Sequence, residues 1–461
     1  MCKKFWFFNH IEQSNIALVT ENGELVSYKK LQSDIDSFSK KLPSHRSLVF
    51  LRVQNTYLSI IAYLACLQNN HPFLPIDSQI DSILLTSLLE LYQPNLIIHD
   101  GKIKQYSECR YELHSDLAML LSTSGTTGSP KLVRLSHQNL ICNTSDIIEY
   151  LQITSEDSVI TTLPLSYSYG ISIVNTHLGA GSKIVLNDFG IISREFWSKV
   201  ETHKVSTFAG VPFTFQMLKK LKYKRFNTSN IRYLTQAGGK LDEDTLKYFN
   251  NECTDLGQNF IVMYGQTEAS PRISFVPPKM LKNKMGSIGI AIPNGKIELR
   301  DSNYNVITEA NSEGELIYIG NNVMMGYAEK TSELSLGDTH GNILYTGDLG
   351  YYDNDHYFYI TGRAKRFIKL FGLRISLDAI DNWFSNNNID AVCSGNDDNL
   401  IVCHEDEQID EIKIKNNLAT RFKLNVNVIK FIYIKEIPRK NGGKINFQAL
   451  NKLVRSNKIK E

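Results

Sequence analysis

Between residue 47 and about 265, short β-branched runs alternate with longer stretches whose apolar residues recur at helical spacing. The runs SLVFLRV (47–53), NLIIHD (95–100), LAMLLS (117–122), SVITTLP (158–164), SKIVLND (182–188), STFAGVP (206–212), IRYLTQAG (231–238) and FIVMYG (260–265) predict strands. Segments such as 56–67 and SREFWSKVETHK (193–204) predict helices between them. Strands separated by helices cannot pair as hairpins, so this pattern predicts an α/β fold with largely parallel sheets. After Gly286 the helices stop. KIELRD, GELIYIG and HYFYITG predict a small β-rich unit at about 286–362. The last hundred residues mix strands (LIVCH, VIKFIYI) with helical patterns near 376–385 and 408–422, predicting a compact α+β unit.

Composition narrows the picture by exclusion. The 461 residues are 42% hydrophobic and 21% charged, enough for two or more cored domains. A net charge of +2 offers no broad electrostatic footprint for nucleic acid. The longest apolar stretch, roughly Tyr57 to Leu67, is too short to span a bilayer. The opening MCKKFWFFNHIEQ does not read as a signal peptide. Seven scattered cysteines without a C-x-x-C pair read as reduced packing residues of a cytoplasmic protein.

One tract does not fit a packing role. In LLSTSGTTGSPKLVRLSHQNL (120–140) an apolar strand ends in hydroxyl residues, glycines, one proline and one lysine, and a helical pattern begins near Ser136. Such residues bury little surface and cost conformational entropy. At a strand-to-helix junction they suit an anion: glycines let backbone N–H groups approach, hydroxyls add donors, and Lys131 adds charge. The G-x-x-x-x-G-K-[ST] spacing of the P-loop is absent. Taken alone, the tract also fits a surface linker.

STSGTTGSPK resembles the phosphate-loop signature of the adenylate-forming superfamily, which contains acyl-CoA synthetases, carrier-loading adenylation domains and firefly luciferase. Further segments resemble the family's motifs in the same order: VSYKKL (26–31), FLPID (73–77), QAGGKL (236–241), MYGQTEAS (263–270), GELIYIGNNVMMGY (314–327), YTGDLG (345–350), GRAKRFIKLFGLRIS (362–376) and PRKNGGKIN (438–446). Together they span nearly the whole chain. The chain departs from the pattern at Leu132, where many members have glycine, and is shorter than most members. The resemblance implies a large N-terminal domain, 1–364, that binds ATP and the acid, and a small mobile C-terminal domain, 365–461.

The resemblance also implies roles. Thr123, Ser124, Gly125, Thr126, Thr127, Gly128 and Lys131 would hold the β and γ phosphates of ATP. Thr267 would touch the α-phosphate and Glu268 would bind Mg²⁺. Gly238, Gly239, Tyr264 and Gly265 would frame adenine, with Tyr264 covering one face. Asp348 would accept the ribose hydroxyls, with Arg363 nearby. Lys444 would bridge the substrate carboxylate and ATP phosphate during adenylation. Lys365 matches the hinge, and Lys369 matches a lysine facing the cleft in the second half-reaction of some members. Outside that context Glu268 could be a solvated strand-end carboxylate, Asp348 a turn aspartate, and Lys369 or Lys444 an exposed lysine.

The implied activity is ATP-dependent conversion of a carboxylic acid to acyl-AMP, then transfer to a thiol. Amino-acid-activating relatives often carry an aspartate near the segment reading LPLSYSYGIS (163–172), where this chain has none. A buried ammonium without a partner is costly, so a neutral acyl or hydroxyacyl chain is expected. Its pocket is expected at Tyr167, Tyr169, Phe213, Thr214 and Phe215. Seventeen residues follow Lys444, so no fused carrier domain is expected. The acceptor would be free CoA or the phosphopantetheine of a separate acyl carrier protein. A stand-alone amino-acid adenylating enzyme serving a carrier or an amine is the alternative, and a nucleotide-binding module without catalysis a further one.

Overall fold

The computed structural model describes residues 4–122, 131–363, 366–370, 373–396, 399–422, 424–439 and 445–457. The expected α/β alternation resolves into two large sheets with parallel centres. In the seven-stranded sheet, Val49–Val53 lies between Phe73–Asp77 and Leu96–His99, and Leu117–Ser122 follows Phe73–Asp77, all parallel. In the nine-stranded sheet, six strands from Asn259–Gly265 across to Ile16–Val19 run parallel. Both sheets carry antiparallel strands at their edges.

Helices buried on every side lie between the sheets. In Tyr57–Gln68 each residue from Ser59 to Leu67 is buried, and in Ser168–Gly179 each from Ser168 to Leu178. Apolar residues all round a helix mean contact all round it. The Tyr63 hydroxyl donates to Asn175 Oδ1 at 2.5 Å, joining the two helices within that layer. Strand alternation sorts the neighbours: Val49, Leu51 and Val53 face this central core, while Leu48 and Phe50 face a second one.

One expectation changes. The tract after Leu121 does not lead from strand to helix. Leu132–Ser136 is itself a strand that returns antiparallel along Leu117–Ser122, pairing Leu121 with Val133 and Ser122 with Leu132. The helix His137–Leu151 starts only after it, with a capping box between Ser136 and Asn139. Arg134 hid this strand, since a charged residue in a five-residue run argues against burial. It is fully buried because its guanidinium donates to the carbonyls of Met325, Tyr327, Leu336 and Gly337. Nor is the β-rich unit self-contained. Its four antiparallel strands run from Lys296–Arg300 to Phe358–Arg363, but Gly326–Ala328 leaves to extend the seven-stranded sheet beside Leu132–Ser136.

From Arg366 onward the described residues have their own cores, built on a two-stranded and a three-stranded sheet and helices such as Leu377–Asn386. Arg366 pairs with Asp378 and Asp381 and donates to the Cys393 carbonyl at 2.7 Å. Five of the six described cysteines are buried, Cys109 is exposed, and none of the six is in a disulfide. No helix among the described residues is long and apolar enough to cross a membrane.

Asp146, on the buried face of His137–Leu151, supplies a test of this packing. Burial raises its carboxyl to about 6, against the Asn294 amide that donates to Oδ1 at 2.8 Å. A carboxyl raised in the folded state costs stability once it ionises, so the cost is absent below pH 4 and complete above pH 6. Asp146→Asn keeps the acceptor for Asn294. It should be more stable than the parent at pH 7 by on the order of 2 kcal/mol. Thermal melts across pH 4–7 should show that advantage vanish at the acid end.

Candidate active site

Asp348 gathers three segments. It lies on the long strand Ile343–Tyr352 and is 3% exposed. Its Oδ2 accepts from the Tyr264 hydroxyl and from Gln266 Nε2 at 2.9 Å, and its Oδ1 pairs with Arg363 Nε at 3.0 Å. Gln266 also donates to the Thr346 carbonyl at 3.0 Å. Burial and the Asp348 charge together hold the Tyr264 phenol far above its usual range, so it remains a donor. The side chain of Arg363 is largely exposed and free to turn toward solvent. Sequence-predicted Tyr264, Asp348 and Arg363 thus meet; Gln266, which completes the group, had been given no role.

Glu268 anchors a second cluster, one short turn away. Its Oε1 accepts from the Tyr327 hydroxyl at 2.9 Å. Lys131 Nζ lies 3.6 Å from the centre of the Tyr327 ring. A cation over an aromatic face is held by the ring quadrupole, so Tyr327 binds Lys131 through its face and Glu268 through its edge. Burial and the Glu268 charge raise the Tyr327 phenol. Tyr327 had been noted only as part of a motif. The pairing of Gly326–Ala328 with Leu132–Ser136 sets it beside Lys131.

Between the clusters the backbone turns sharply. A Cβ on Gly265 would lie 1.9 Å from the Pro271 carbonyl oxygen, closer than any side chain permits. Asn322 closes the turn from outside, its amide donating to the carbonyls of Ala269 (2.6 Å) and Arg272 (2.8 Å). Thr267 Oγ1 lies 3.3 Å from Ser168 Oγ at the start of the buried helix Ser168–Gly179. Gly238, at φ +87°, leaves room for the Tyr167 hydroxyl, which would meet a Cβ there at 2.9 Å. Gly239 follows, its carbonyl accepting from Gln236 at 2.8 Å.

The expected acyl-pocket residues divide. Tyr169 is buried and lines a small cavity beside the helix Ser168–Gly179, its hydroxyl donating to Thr235 Oγ1 at 2.8 Å. Tyr167 packs 6.4 Å from it, centre to centre, edge-on. Phe215 does not reach the cavity. It points into a separate aromatic core between Phe249 and Phe260, at 5.0 and 4.9 Å. Phe213 is largely exposed and Thr214 packs toward Gly210, because Pro212 opens a helix that turns these residues away in succession. Arg272, Ser172, His177 and Tyr233 line the cavity instead. Thr123, Ser124, Gly125, Thr126, Thr127, Gly128, Lys365 and Lys444 lie outside the described residues. Lys369 lies on the strand Phe367–Leu370, in register with Arg374.

Comparison with known proteins finds relatives of one kind. Residues 108–328 match the family model of the AMP-binding enzymes. The chain is 27% identical over 378 residues to 4-coumarate-CoA ligase 1 of Narcissus pseudonarcissus, covering 76% of this chain and 68% of that one. It is 30% identical over 291 residues to a probable 4-coumarate–CoA ligase 2 of Dictyostelium discoideum, covering 61% of this chain and half (50%) of that one. Its fold matches o-succinylbenzoate CoA synthetase (MenE) from Bacillus subtilis in complex with the acyl-adenylate intermediate, with a TM-score of 0.81 at 22% identity over 97% of this chain and 98% of that one. The same enzyme in complex with ATP and a magnesium ion matches with a TM-score of 0.80, again at 22% identity, over 97% and 99%.

The turn after Tyr264 yields a local test. Gly265→Ala forces the Pro271 carbonyl to move and with it the Asn322 bonds. It should lower folding stability by roughly 1–3 kcal/mol, the usual range for an overpacked site. Chemical denaturation measures this; an unchanged midpoint would show that the turn has slack.

Proposed function

Since the chain belongs to the adenylate-forming superfamily of acyl-CoA synthetases, we propose that it joins a carboxylic acid to AMP at the expense of ATP, releases pyrophosphate, and then passes the acyl group to a thiol. It is an AMP-forming acid–thiol ligase. One observation carries the reading: the Asp348 cluster and the Glu268 cluster flank one turn, Tyr264 to Glu268. A polar hub for a sugar and a charged hub for phosphates at that spacing suit a nucleotide laid along the turn.

A carboxylate is a poor acylating agent because oxide is a poor leaving group. Attack of its oxygen on the α-phosphorus of ATP gives acyl-AMP, with pyrophosphate departing. Such a reaction needs positioning and neutralised phosphoryl charge more than covalent help. In this reading Tyr264, Gly238, Gly239 and Gly265 border adenine, and the ribose hydroxyls reach Asp348 as Arg363 turns outward. The tract Thr123–Gly128 with Lys131 takes the β and γ phosphates, and Thr267 the α-phosphate. Glu268 would hold Mg²⁺. Its Oε1 is oriented by Tyr327, and its other oxygen has no partner among the described residues. One hard carboxylate oxygen suits an ion that keeps waters and shares phosphate ligands. Bound there, the ion would neutralise phosphate oxygens.

Lys444 completes the adenylation site in this reading, and the C-terminal unit, 365–461, turns about Lys365 between half-reactions. Lys369 then faces the cleft for thioester formation. The relatedness to 4-coumarate–CoA ligases supports free CoA as the thiol. The phosphopantetheine of a carrier protein offers the same nucleophile.

Mg·ATP and a suitable acid should yield AMP and pyrophosphate. Finding ADP and phosphate by chromatography would remove the assignment. The two lysines should separate the half-reactions. Lys444→Ala should slow acyl-AMP formation by about 10²–10³ through loss of one transition-state donor, while thioester formation from supplied acyl-AMP is largely spared. Lys365→Pro, which fixes φ, should do the opposite. Equal loss of both steps in each folded variant, measured by pyrophosphate exchange and thioester release, would contradict the hinge.

A further inference from the structure

The cavity beside the helix Ser168–Gly179 is lined by an arginine with no acid to meet it among the described residues. Arg272 is 3% exposed on the strand Arg272–Phe275, and its guanidinium lies 4.6 Å from the centre of the Tyr169 ring. Its guanidinium also reaches the Tyr150 hydroxyl, and its charge is felt at Tyr167. Among the described residues no carboxylate pairs with it, and its Nε is buried without a hydrogen-bond partner. Arginine does not shed its charge when buried. Carbonyls take up the N–H groups of the equally buried Arg134, whereas this cation keeps an unsatisfied Nε beside a cavity and so leaves a place for an anion that the protein does not supply.

Two more buried polar atoms line the same cavity without partners. His177 donates from Nδ1 to the Ile173 carbonyl at 2.8 Å, which leaves Nε2 as a bare acceptor. Burial lowers this imidazole to about 4, so it is neutral and adds no second cation. The Tyr233 hydroxyl faces the Thr207 side chain without a formed hydrogen bond. Of the eight such side-chain atoms among the described residues, three gather here. Unpaired buried polar groups are costly in a folded protein, and their concentration at one cavity points to a bound group that satisfies them. The space is about 20 Å³, room for about one water. It admits only the small end of a ligand.

Resting on the adenylation reading above, we infer that Arg272 selects the acid, and that the acid carries a second carboxylate at its far end which pairs with the Arg272 guanidinium. This replaces the neutral chain expected from the missing acid at 163–172. That absence disfavours an ammonium; the cation at Arg272 goes further and favours an anion. The position reads as specificity rather than chemistry, because Arg272 lies beyond the turn that holds Thr267 and Glu268. A carboxylate bound here forms charge-assisted hydrogen bonds in a low-dielectric site, where they are strong.

The experiment compares dicarboxylic acids (succinate, glutarate and adipate) with their monomethyl esters. Each ester keeps the length and one reacting carboxylate but loses the distal charge. Pyrophosphate exchange and ligand-induced melting shifts are measured on the full chain, its Arg272→Gln form and its Arg272→Lys form. The parent should prefer at least one diacid over its ester by about 10- to 100-fold, the effect of a hydrogen bond to a charged group. Arg272→Gln should lose that preference mainly through KM, while Mg·ATP still raises its melting temperature. Arg272→Lys should keep part of it. Equal use of diacid and ester by the parent would overturn the inference, as would a diacid preference that survives in Arg272→Gln. A requirement for Arg272 that is the same for diacid and ester would also overturn it, by placing the guanidinium on the reacting carboxylate. Should no acid support exchange, the adenylation reading fails by itself. A larger melting shift with diacid than with ester would then still support the Arg272 site, and equal shifts would refute it. If Arg272→Gln does not fold, the parent's diacid-to-ester ratio and the Arg272→Lys form still decide.

Discussion

The buried carboxylate of Asp348 is the constraint around which this molecule is arranged. A carboxyl group that is 3% exposed must be fully supplied with partners. The donors come from Tyr264 and Gln266 at the end of the nine-stranded sheet and from Arg363 at the end of the four-stranded one. To satisfy it, two sheets with separate cores must meet at a fixed angle and distance. The turn from Gly265 to Arg272 lies at that junction, so its geometry is inherited from the junction. Asn322 reinforces it from the β-rich side.

The same logic explains why the β-rich unit is not independent. It sends Gly326–Ala328 into the seven-stranded sheet, where Arg134 binds four carbonyls. An arginine buried in a strand is tolerable only when each N–H finds an acceptor. Here the acceptors belong to the chain that brings Tyr327 over Lys131. One buried arginine thus helps to hold Tyr327 over Lys131.

Arg134 and Arg272 make an instructive pair. Both are buried and both sit on strands at the margins of large sheets. The guanidinium of Arg134 is saturated by backbone carbonyls and so is purely structural. That of Arg272 has an aromatic face, an unpartnered Nε and a cavity before it. The difference lies in which groups surround each side chain, since the residue type is the same.

Much of the fold and half of the site were legible in the residues themselves. Strand runs such as 117–122 and 400–404, the helices near 56–67 and 193–204, and the motif positions Tyr264, Glu268, Asp348 and Arg363 depend on local periodicity or on short patterns that name their own chemistry. What escaped was set by contacts distant in sequence. LVRLS could not be read as a buried strand, because the acceptors for Arg134 lie about 190 to 200 residues further on. Phe215 reads like Tyr169 in the sequence, yet it faces another core because Pro212 starts a helix there. Arg272 is one arginine in an apolar run. Only the elements packed around it turn it into a buried charge facing a cavity, since burial and hydrogen-bond saturation are properties of the assembled layers and of no segment alone.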